Sequence, residues 1–290
     1  MRPIVRQLRC PEMRRFSLGS DGGRGSVGVL VTPSAECGPQ LLLLEAWAGE
    51  QGVGVVDLGT SAAPNGLGPG CGLVIALGGD GTILRALQLA MPHQVGVLGI
   101  NFGTVGFLAD RHRTDFEDAL DRVARGEAMI EERTALVATI GTDPPRTVVA
   151  FNDVVVARRP GHGTARLRVE VDGEAVLELR GDGVVIASPT GSTAYNVGAG
   201  GPAVAPSLDA IVVTPLATQG SRLRSLVLDG GDTVWVATEP SSAPLSAEID
   251  GRTIYDLPMP GVLEVRAAPH KARLIRTRPR TFYSDLAGGL

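Results

Sequence analysis

The strongest constraint on this fold is a change of periodicity near residue 130. Upstream, short apolar runs alternate with helix-compatible stretches. Ser26–Thr32, Val53–Leu58, Leu73–Leu77 and Gln94–Ile100 are short, mostly Val/Ile/Leu-rich runs that read as buried strands. Between them, Pro39–Glu50 offers Leu41, Leu42, Leu44, Ala46 and Trp47 to a helix, and Ile83–Ala90 reads as a second helix stopped near Pro92. Thr114–Arg125 is amphipathic, with Thr114 as its expected N-cap, acidic residues early and arginines late. Strand–helix alternation of this kind implies a parallel sheet covered on both faces. Downstream, Leu136–Ile140, Thr147–Ala157, Leu167–Val171, Ala175–Leu179, Val184–Ala187, Ala210–Val213, Thr233–Ala237 and Val262–Arg266 are strand-like runs separated by turn residues. Asp172-Gly173 between two of them is a hairpin signal. The chain therefore reads as an α/β domain over 26–130 followed by a β-rich, mainly antiparallel domain. Residues 1–25, with Arg2, Arg6, Arg9, Arg14 and Arg15, read as a mobile extension lacking the apolar stretch of a secretion signal.

Composition narrows the function classes. A net charge of −4 argues against a protein whose whole surface binds nucleic acid, which needs a basic face to displace counterions. Cys10, Cys37 and Cys71 have no paired spacing, which excludes a disulfide framework and a four-cysteine zinc site and suits a reducing, cytoplasmic compartment. His93, His112, His162 and His270 are scattered, without the pair one helical turn apart of a zinc hydrolase, so no protein-held metal is expected. No apolar run reaches membrane-spanning length, and no basic amphipathic helix suits a membrane surface.

Five segments carry candidate chemistry. Gly78-Gly79-Asp80-Gly81-Thr82 lies where a buried strand gives way to a helix. Open α/β sheets bind ligands at the carboxyl ends of their strands, and glycines there let backbone N–H groups approach a phosphate. A carboxylate set among them can take the proton of a substrate hydroxyl during phosphoryl transfer; the bland alternative is a capped βα turn. No G-x-x-x-x-G-K-[ST] P-loop exists, since the single lysine is Lys271. Asn101-Phe102-Gly103-Thr-Val-Gly-Phe-Leu108 is a second loop after a strand. Asn152-Asp153 interrupts an apolar run, through a bulge or strand end or as a ribose- or base-binding pair. Gly181 to Tyr195 ends a strand in a loop dense with hydroxyls, with a helix expected to start near Ser192, and leads to Ala199-Gly-Gly-Pro202. Backbone donors and hydroxyls at a helix start suit a nucleotide. Glu248-Ile-Asp-Gly251 adds little alone.

Taken in order from about Val27 to Asp250, these segments resemble the NAD kinase family: GGDGT, N-x-G-x-x-G-F-L, Asn-acidic and P-T-G-S-T-A-Y followed by AGGP. The resemblance implies a Rossmann-like α/β N-terminal domain and a C-terminal β-rich (β-sandwich) domain over 131–272, with a tail over 273–290 returning to the first domain. It implies that Asp80 activates the 2′-hydroxyl of the adenosine ribose of NAD and that Gly81 contacts the substrate. Asn152 and Asp153 would hold the dinucleotide, and Arg180 and Asp182 would flank it, Asp182 on the nicotinamide side. Thr193, Ala194, Tyr195 and Gly198 would line the adenine pocket, on a loop shaped by Ser188, Thr190, Gly191 and Ser192. Gly78, Gly79, Thr82, Arg85, Asn101, Phe102, Gly103, His162 and Arg252 complete the implied nucleotide-binding set. Mg²⁺ (or another divalent cation) with ATP, or polyphosphate, is the implied donor. The implied assembly is a homodimer or homotetramer in which a partner subunit contributes to the site.

The sequence departs from the family pattern in places. Asp153 stands where glutamate is more usual, Ser188 where threonine is, and Gly198 where a serine is common. No histidine follows Pro215, and Arg252 replaces a frequent glutamine. These changes keep two alternatives in view. One is a related kinase acting on another nucleoside, nucleotide or sugar hydroxyl. The other is a dinucleotide sensor without turnover.

Overall fold

The computed structural model describes residues 14–18, 25–33, 36–103, 106–219, 223–279 and 281–288. The chain divides into two compact units, Met1–Glu132 with Ala272–Thr281, and Arg133–Lys271 with Phe282–Leu290.

The first unit is built on a nine-stranded sheet. Its centre is parallel: Ser26–Val31 lies between Gly54–Thr60 and Cys71–Leu77, followed by Gly96–Asn101 and then Ala272–Arg276. Both faces are covered. Helix α1 (Gly38–Gln51) buries Leu44, Trp47 and Ala48, and helix α3 (Phe116–Ala124) buries Phe116, Leu120 and Val123. Both pack on Val27, Leu73, Ile75, Leu98 and Ile100. Gly99, pointing the other way, meets Ile83 of helix α2 (Asp80–Ala90), and a Cβ there would lie 2.5 Å from its Cδ1. The alternation of side chains along a strand thus separates the two helical layers. Pro39 opens α1, where its missing N–H costs nothing, and Gly52 in the left-handed region (φ 68°) closes it.

Three expectations are corrected. Thr114 does not cap α3: it sits in a 3₁₀ turn, and its hydroxyl meets His112 and Asp115, while the cap position falls to Asp115 without a side-chain bond. A mobile extension over 1–25 does not hold for residues 14–18. Arg14 and Arg15 pair with Ile130 and Met129, and Phe16 is buried with its N–H on Ala128 O at 2.8 Å; residues 1–13 and 19–24 lie outside the described residues. The tail expected to return to the first domain over 273–290 does so only in part: Ala272–Arg276, not recognised as a strand, enters the sheet of the first unit, whereas Phe282–Leu290 belongs to the second. Arginines at Arg273 and Arg276 leave that strand only three apolar residues, too few for a periodicity signal.

The second unit is two six-stranded antiparallel sheets, Arg146–Ala150, Leu136–Ile140, Gly261–Ala267, Thr233–Thr238, Ala165–Val171 and Glu174–Gly181 in one, and Leu226–Asp229, Ala210–Leu216, Gly183–Ala187, Asp153–Arg158, Leu245–Ile249 and Thr253–Asp256 in the other. One apolar core takes side chains from both, including Leu167, Val169, Val234 and Val236 from the first and Val154, Val156, Ile186 and Ile211 from the second. This is a sandwich packed on alternating inward residues. Asp172 and Gly173 have φ of 49° and 85°, the twisted two-residue turn that fits a hairpin. The run Thr147–Ala157 is not one strand. It breaks at Phe151-Asn152, and its two halves belong to different sheets. Among the described residues no helix is long and apolar enough to cross a membrane.

Candidate active site

In the first unit, the strand Cys71–Leu77 runs into Gly78 and Gly79, and α2 begins at Asp80. Gly78 is required: a Cβ there would strike Thr82, which is itself buried, and would lie 3.0 Å from Thr32. Asp80 is half-buried, and its carboxylate is aimed by a second loop. Oδ2 accepts the N–H of Phe107 at 2.9 Å and Oδ1 that of Leu108 at 3.2 Å. Gly106 presses its bare Cα on the same group, so that a Cβ would fall on the carboxylate. Two amides fix the plane of the carboxylate, and each oxygen keeps a lone pair for a substrate proton. Asn101, buried, ties its own loop through Nδ2 to Gly103 O at 2.7 Å. Phe102 carries Arg113 over its ring, Arg85 bonds Gln88 one turn on, and Gly79 and Gly103 are exposed. The two loops singled out from sequence are therefore one constellation centred on Asp80.

In the second unit, Asn152, Asp153, Ser188, Thr190, Gly191 and Ser192 come together. Asp250 organises them: with φ of 50°, it turns its carboxylate onto the N–H groups of Phe151 (3.0 Å), Asn152 (2.7 Å) and Asp153 (3.3 Å). Ser188, fully buried, donates to Phe151 O at 2.5 Å and accepts the N–H of Gly191 at 3.1 Å. Gly191 lies so close that a Cβ would overlap the backbone of Asn152. The Ser192 hydroxyl sits against Pro189 O at 2.7 Å and accepts the N–H of Val204 at 2.8 Å. Among the described residues, the buried Thr190 Oγ1 has no hydrogen-bond partner, an uncompensated polar atom of the kind a ligand satisfies. Thr193 is half-buried, whereas Ala194, Tyr195 and Gly198 are exposed. The helix expected from Ser192 is reduced to a 3₁₀ turn (Gly191–Thr193) and one short helical turn (Tyr195–Gly198).

Sequence reasoning missed two residues here. Asp250 looked like any Asp-Gly turn; its left-handed backbone and paired strand give it its role. Asn196, fully buried, donates to Ser192 O and Pro202 O (both 3.0 Å) and accepts from Thr214 Oγ1 at 2.7 Å, so it clips the loop to the following Gly-Gly-Pro. A polar residue among small ones was its only signal.

Three implied site residues lie elsewhere in this unit. Asp153 pairs with Ala187 and Ala157 with Gly183, and the N–H of Arg158 meets Asp182 O one residue further, so Asp182 stands roughly 17 Å along the strand from Asp153 at about 3.4 Å per residue. There Asp182 binds Arg158 Nε at 2.6 Å, and Arg158 Nη1 reaches His162 O at 3.4 Å. Arg180 and His162 are exposed at that same far end, whereas Arg252 is exposed just after Asp250, at the near end.

Burial, with the charges of Asp250 and Glu248 behind it, pushes the carboxyl of Asp153 up to about 7. The unfolded chain releases this proton near 3.8 and the folded chain near 7, so stability falls as pH rises across that window. Asp153→Asn removes the dependence. Unfolding free energies from urea titrations at pH 5 and pH 8 should fall with pH more for the parent than for the variant, by at most about 3 kcal/mol. Equal slopes would show that Asp153 ionises normally.

Two family models match the chain: the ATP-NAD kinase N-terminal domain over residues 58–128 and the ATP-NAD kinase C-terminal domain over residues 151–277. A curated NAD kinase of Symbiobacterium thermophilum is 42% identical over 258 residues, covering 86% of this chain and 87% of that protein. One from Bordetella avium is 38% identical over 225 residues, 76% of this chain and 75% of its own. Among solved structures, yeast NADH kinase complexed with NADH superposes with a TM-score of 0.78 at 22% identity, covering 92% of this chain and 87% of that one. An NAD kinase from Archaeoglobus fulgidus in complex with ATP gives 0.72 at 25% identity, covering 90% and 97%. Motif order, fold and relatives agree, and the chain belongs to the NAD kinase family, phosphotransferases that act on a hydroxyl group.

Proposed function

We propose that this protein transfers the terminal phosphoryl group of ATP to the 2′-hydroxyl of the adenosine ribose of NAD, giving NADP and ADP, with Asp80 as the base. The observation that carries this reading is the aim of Asp80, a carboxylate at the start of α2 held in one plane by the amides of Phe107 and Leu108. The ribose oxygen attacks the γ-phosphorus, the bond to the β-phosphate oxygen breaks, and the hydroxyl proton passes to Asp80. The glycines around Asp80 leave backbone donors open to phosphate. The Asn152–Asp153 and Thr190–Tyr195 loops supply binding and orientation.

A divalent cation fits this chain as a companion of the nucleotide. Mg²⁺ keeps several waters and binds through one or two carboxylates plus phosphate oxygens, and among the described residues no group of three candidate ligands forms a site of its own. Polyphosphate would present the same phosphate chemistry as ATP. The separation of Arg180, Asp182 and His162 from Asn152-Asp153 supports a homodimer or homotetramer in which a second copy brings the far end of one sandwich to the near end of another. The unpaired thiols of Cys37 and Cys71 support a reducing, cytoplasmic setting.

The test is an assay of purified protein with Mg²⁺, ATP and NAD, run beside NADH, adenosine and simple sugars. NADP formation is the expected result; phosphorylation of a mononucleoside or sugar with higher kcat/KM would transfer the assignment to a related kinase, and binding of NAD without product to a sensor. Tyr195, 55% exposed on the loop, offers its ring to the adenine. Tyr195→Ala should raise KM for NAD about tenfold, the loss of a base-stacking contact of roughly 1–3 kcal/mol, with kcat changed far less. An unchanged KM would place the ring outside the binding surface.

A further inference from the structure

The loop that aims Asp80 is itself held from behind by one side chain. Arg276, on the strand Ala272–Arg276, is only 3% exposed, and each nitrogen of its guanidinium has a partner. Nη1 donates to Leu108 O at 2.9 Å and Ala109 O at 3.2 Å, Nη2 to Phe107 O at 3.4 Å, and Nε to Glu131 Oε2 at 2.5 Å. These carbonyls belong to the segment whose N–H groups bind the carboxylate of Asp80. The Phe107–Leu108 peptide makes the link direct. In a planar trans peptide the C=O and the N–H point in opposite directions; here the C=O faces Arg276 and the N–H faces Asp80. Neither bond can turn without breaking the other. The next residue fixes the strand: Asp110, fully buried, accepts the N–H of Thr277 at 3.1 Å and its hydroxyl at 2.5 Å.

We propose that Arg276 is a positioning residue for the phosphoryl transfer, holding the Phe107–Ala109 segment so that its amides keep the carboxylate of Asp80 in its reactive orientation. The proposal rests on the assignment of Asp80 as the base. A guanidinium suits the task because it offers several N–H groups in one rigid plane and stays charged at every accessible pH; a lysine ammonium, a point charge, cannot bridge the same carbonyls. No signal at Arg276 in the sequence reveals this, since the strand that carries it lies more than 160 residues from the loop it holds.

Arg276→Lys keeps the charge and loses the fork. Its expected effect is a fall in kcat of between about ten- and a hundredfold, the cost of misplacing a reacting group by an ångström or less. KM for NAD should stay within about threefold, since the groups that bind substrate are untouched. Because the residue acts through Asp80, Arg276→Lys should cost nothing further in an Asp80→Asn background, whereas damage to the fold would lower both backgrounds alike. Glu131→Gln is the second variant, at a partly exposed side chain whose amide oxygen can still accept the Nε bond. It loosens the Nε anchor and should lower kcat severalfold at unchanged melting temperature. Wild-type kcat in both Arg276→Lys and Glu131→Gln would overturn the proposal, as would a full additional loss in the Asp80→Asn background. Normal turnover by Asp80→Asn alone would remove the base assignment itself, and that outcome is read separately from the two Arg276 comparisons.

Discussion

Asp80→Asn is expected to lower kcat by about 10²–10⁴-fold, the range supplied by a positioned general base, with the protein still folded. Asparagine has the shape of aspartate, so the space against Gly106 is filled as before. What changes is chemistry: the amide cannot accept a proton from a hydroxyl at neutral pH. One structural cost follows. Its NH₂ group faces an amide N–H of Phe107 or Leu108 that the carboxylate accepted, a loss of roughly 1–3 kcal/mol for an unsatisfied donor. Affinity for NAD should change little, because the carboxylate meets the reacting hydroxyl rather than the bulk of the dinucleotide. Steady-state turnover, NAD binding by calorimetry and a melting curve separate the three effects. Turnover at the parent rate would show that another group takes the proton.

Gly191→Ala is expected to cost about 3 kcal/mol or more in stability and to weaken NAD binding at least tenfold. The new methyl would overlap the carbonyl of Asn152, which is backbone and has no rotamer to yield with. Movement is blocked on the other side as well: Asn152 O already accepts the N–H of Ser188 at 2.9 Å, and Asp250 holds the N–H groups of the same turn. Relief must come from displacing the Ser188–Ser192 loop, the segment that carries Thr190 and leads into Tyr195. A drop in melting temperature of about 6–12 °C corresponds to that cost. Gly198→Ala is the control, since among the described residues nothing beyond its own helical turn lies within 4 Å of its Cβ position, and its melting temperature should match the parent. Equal melting temperatures for both variants would mean that the two loops are not in contact.

The parts of this fold that were legible in the sequence are those whose signal is local. Alternating apolar runs placed the parallel sheet, and Asp172-Gly173 placed a hairpin because the turn itself demands left-handed residues. The loop Gly78–Thr82 was legible through its place in an ordered set of motifs, since alone it reads equally well as a capped βα turn. Long-range partners were not legible. Asp250 acts on Phe151–Asp153 from about a hundred residues away, and Arg276 on Leu108 from farther still; neither leaves a mark in its own neighbourhood. The interruption at Asn152-Asp153 was legible as a bulge or strand end, but the separation of the two halves was not: Val148–Ala150 and Val154–Ala157 are both apolar, and only the hydrogen-bonding partners of each half show that they lie in different sheets. The expected helix at Ser192 failed for the opposite reason: the hydroxyls that suggested caps bind carbonyls of their own loop instead. Arg180, Asp182 and His162 were near Asn152 in motif order, but the paired strands Asp153–Arg158 and Gly183–Ala187 carry the two ends of that order apart.

The proposed role of Asp80 is to direct a phosphoryl group to one hydroxyl of the adenosine ribose. The most direct measurement is the ³¹P and proton NMR spectrum of the product made from NAD and ATP by the parent protein and by Asp80→Asn. The expected result is a single monoester on the adenosine 2′-oxygen from the parent and none from the variant over the same interval. A phosphate on any other hydroxyl, or the same product formed as fast by the variant, would contradict it.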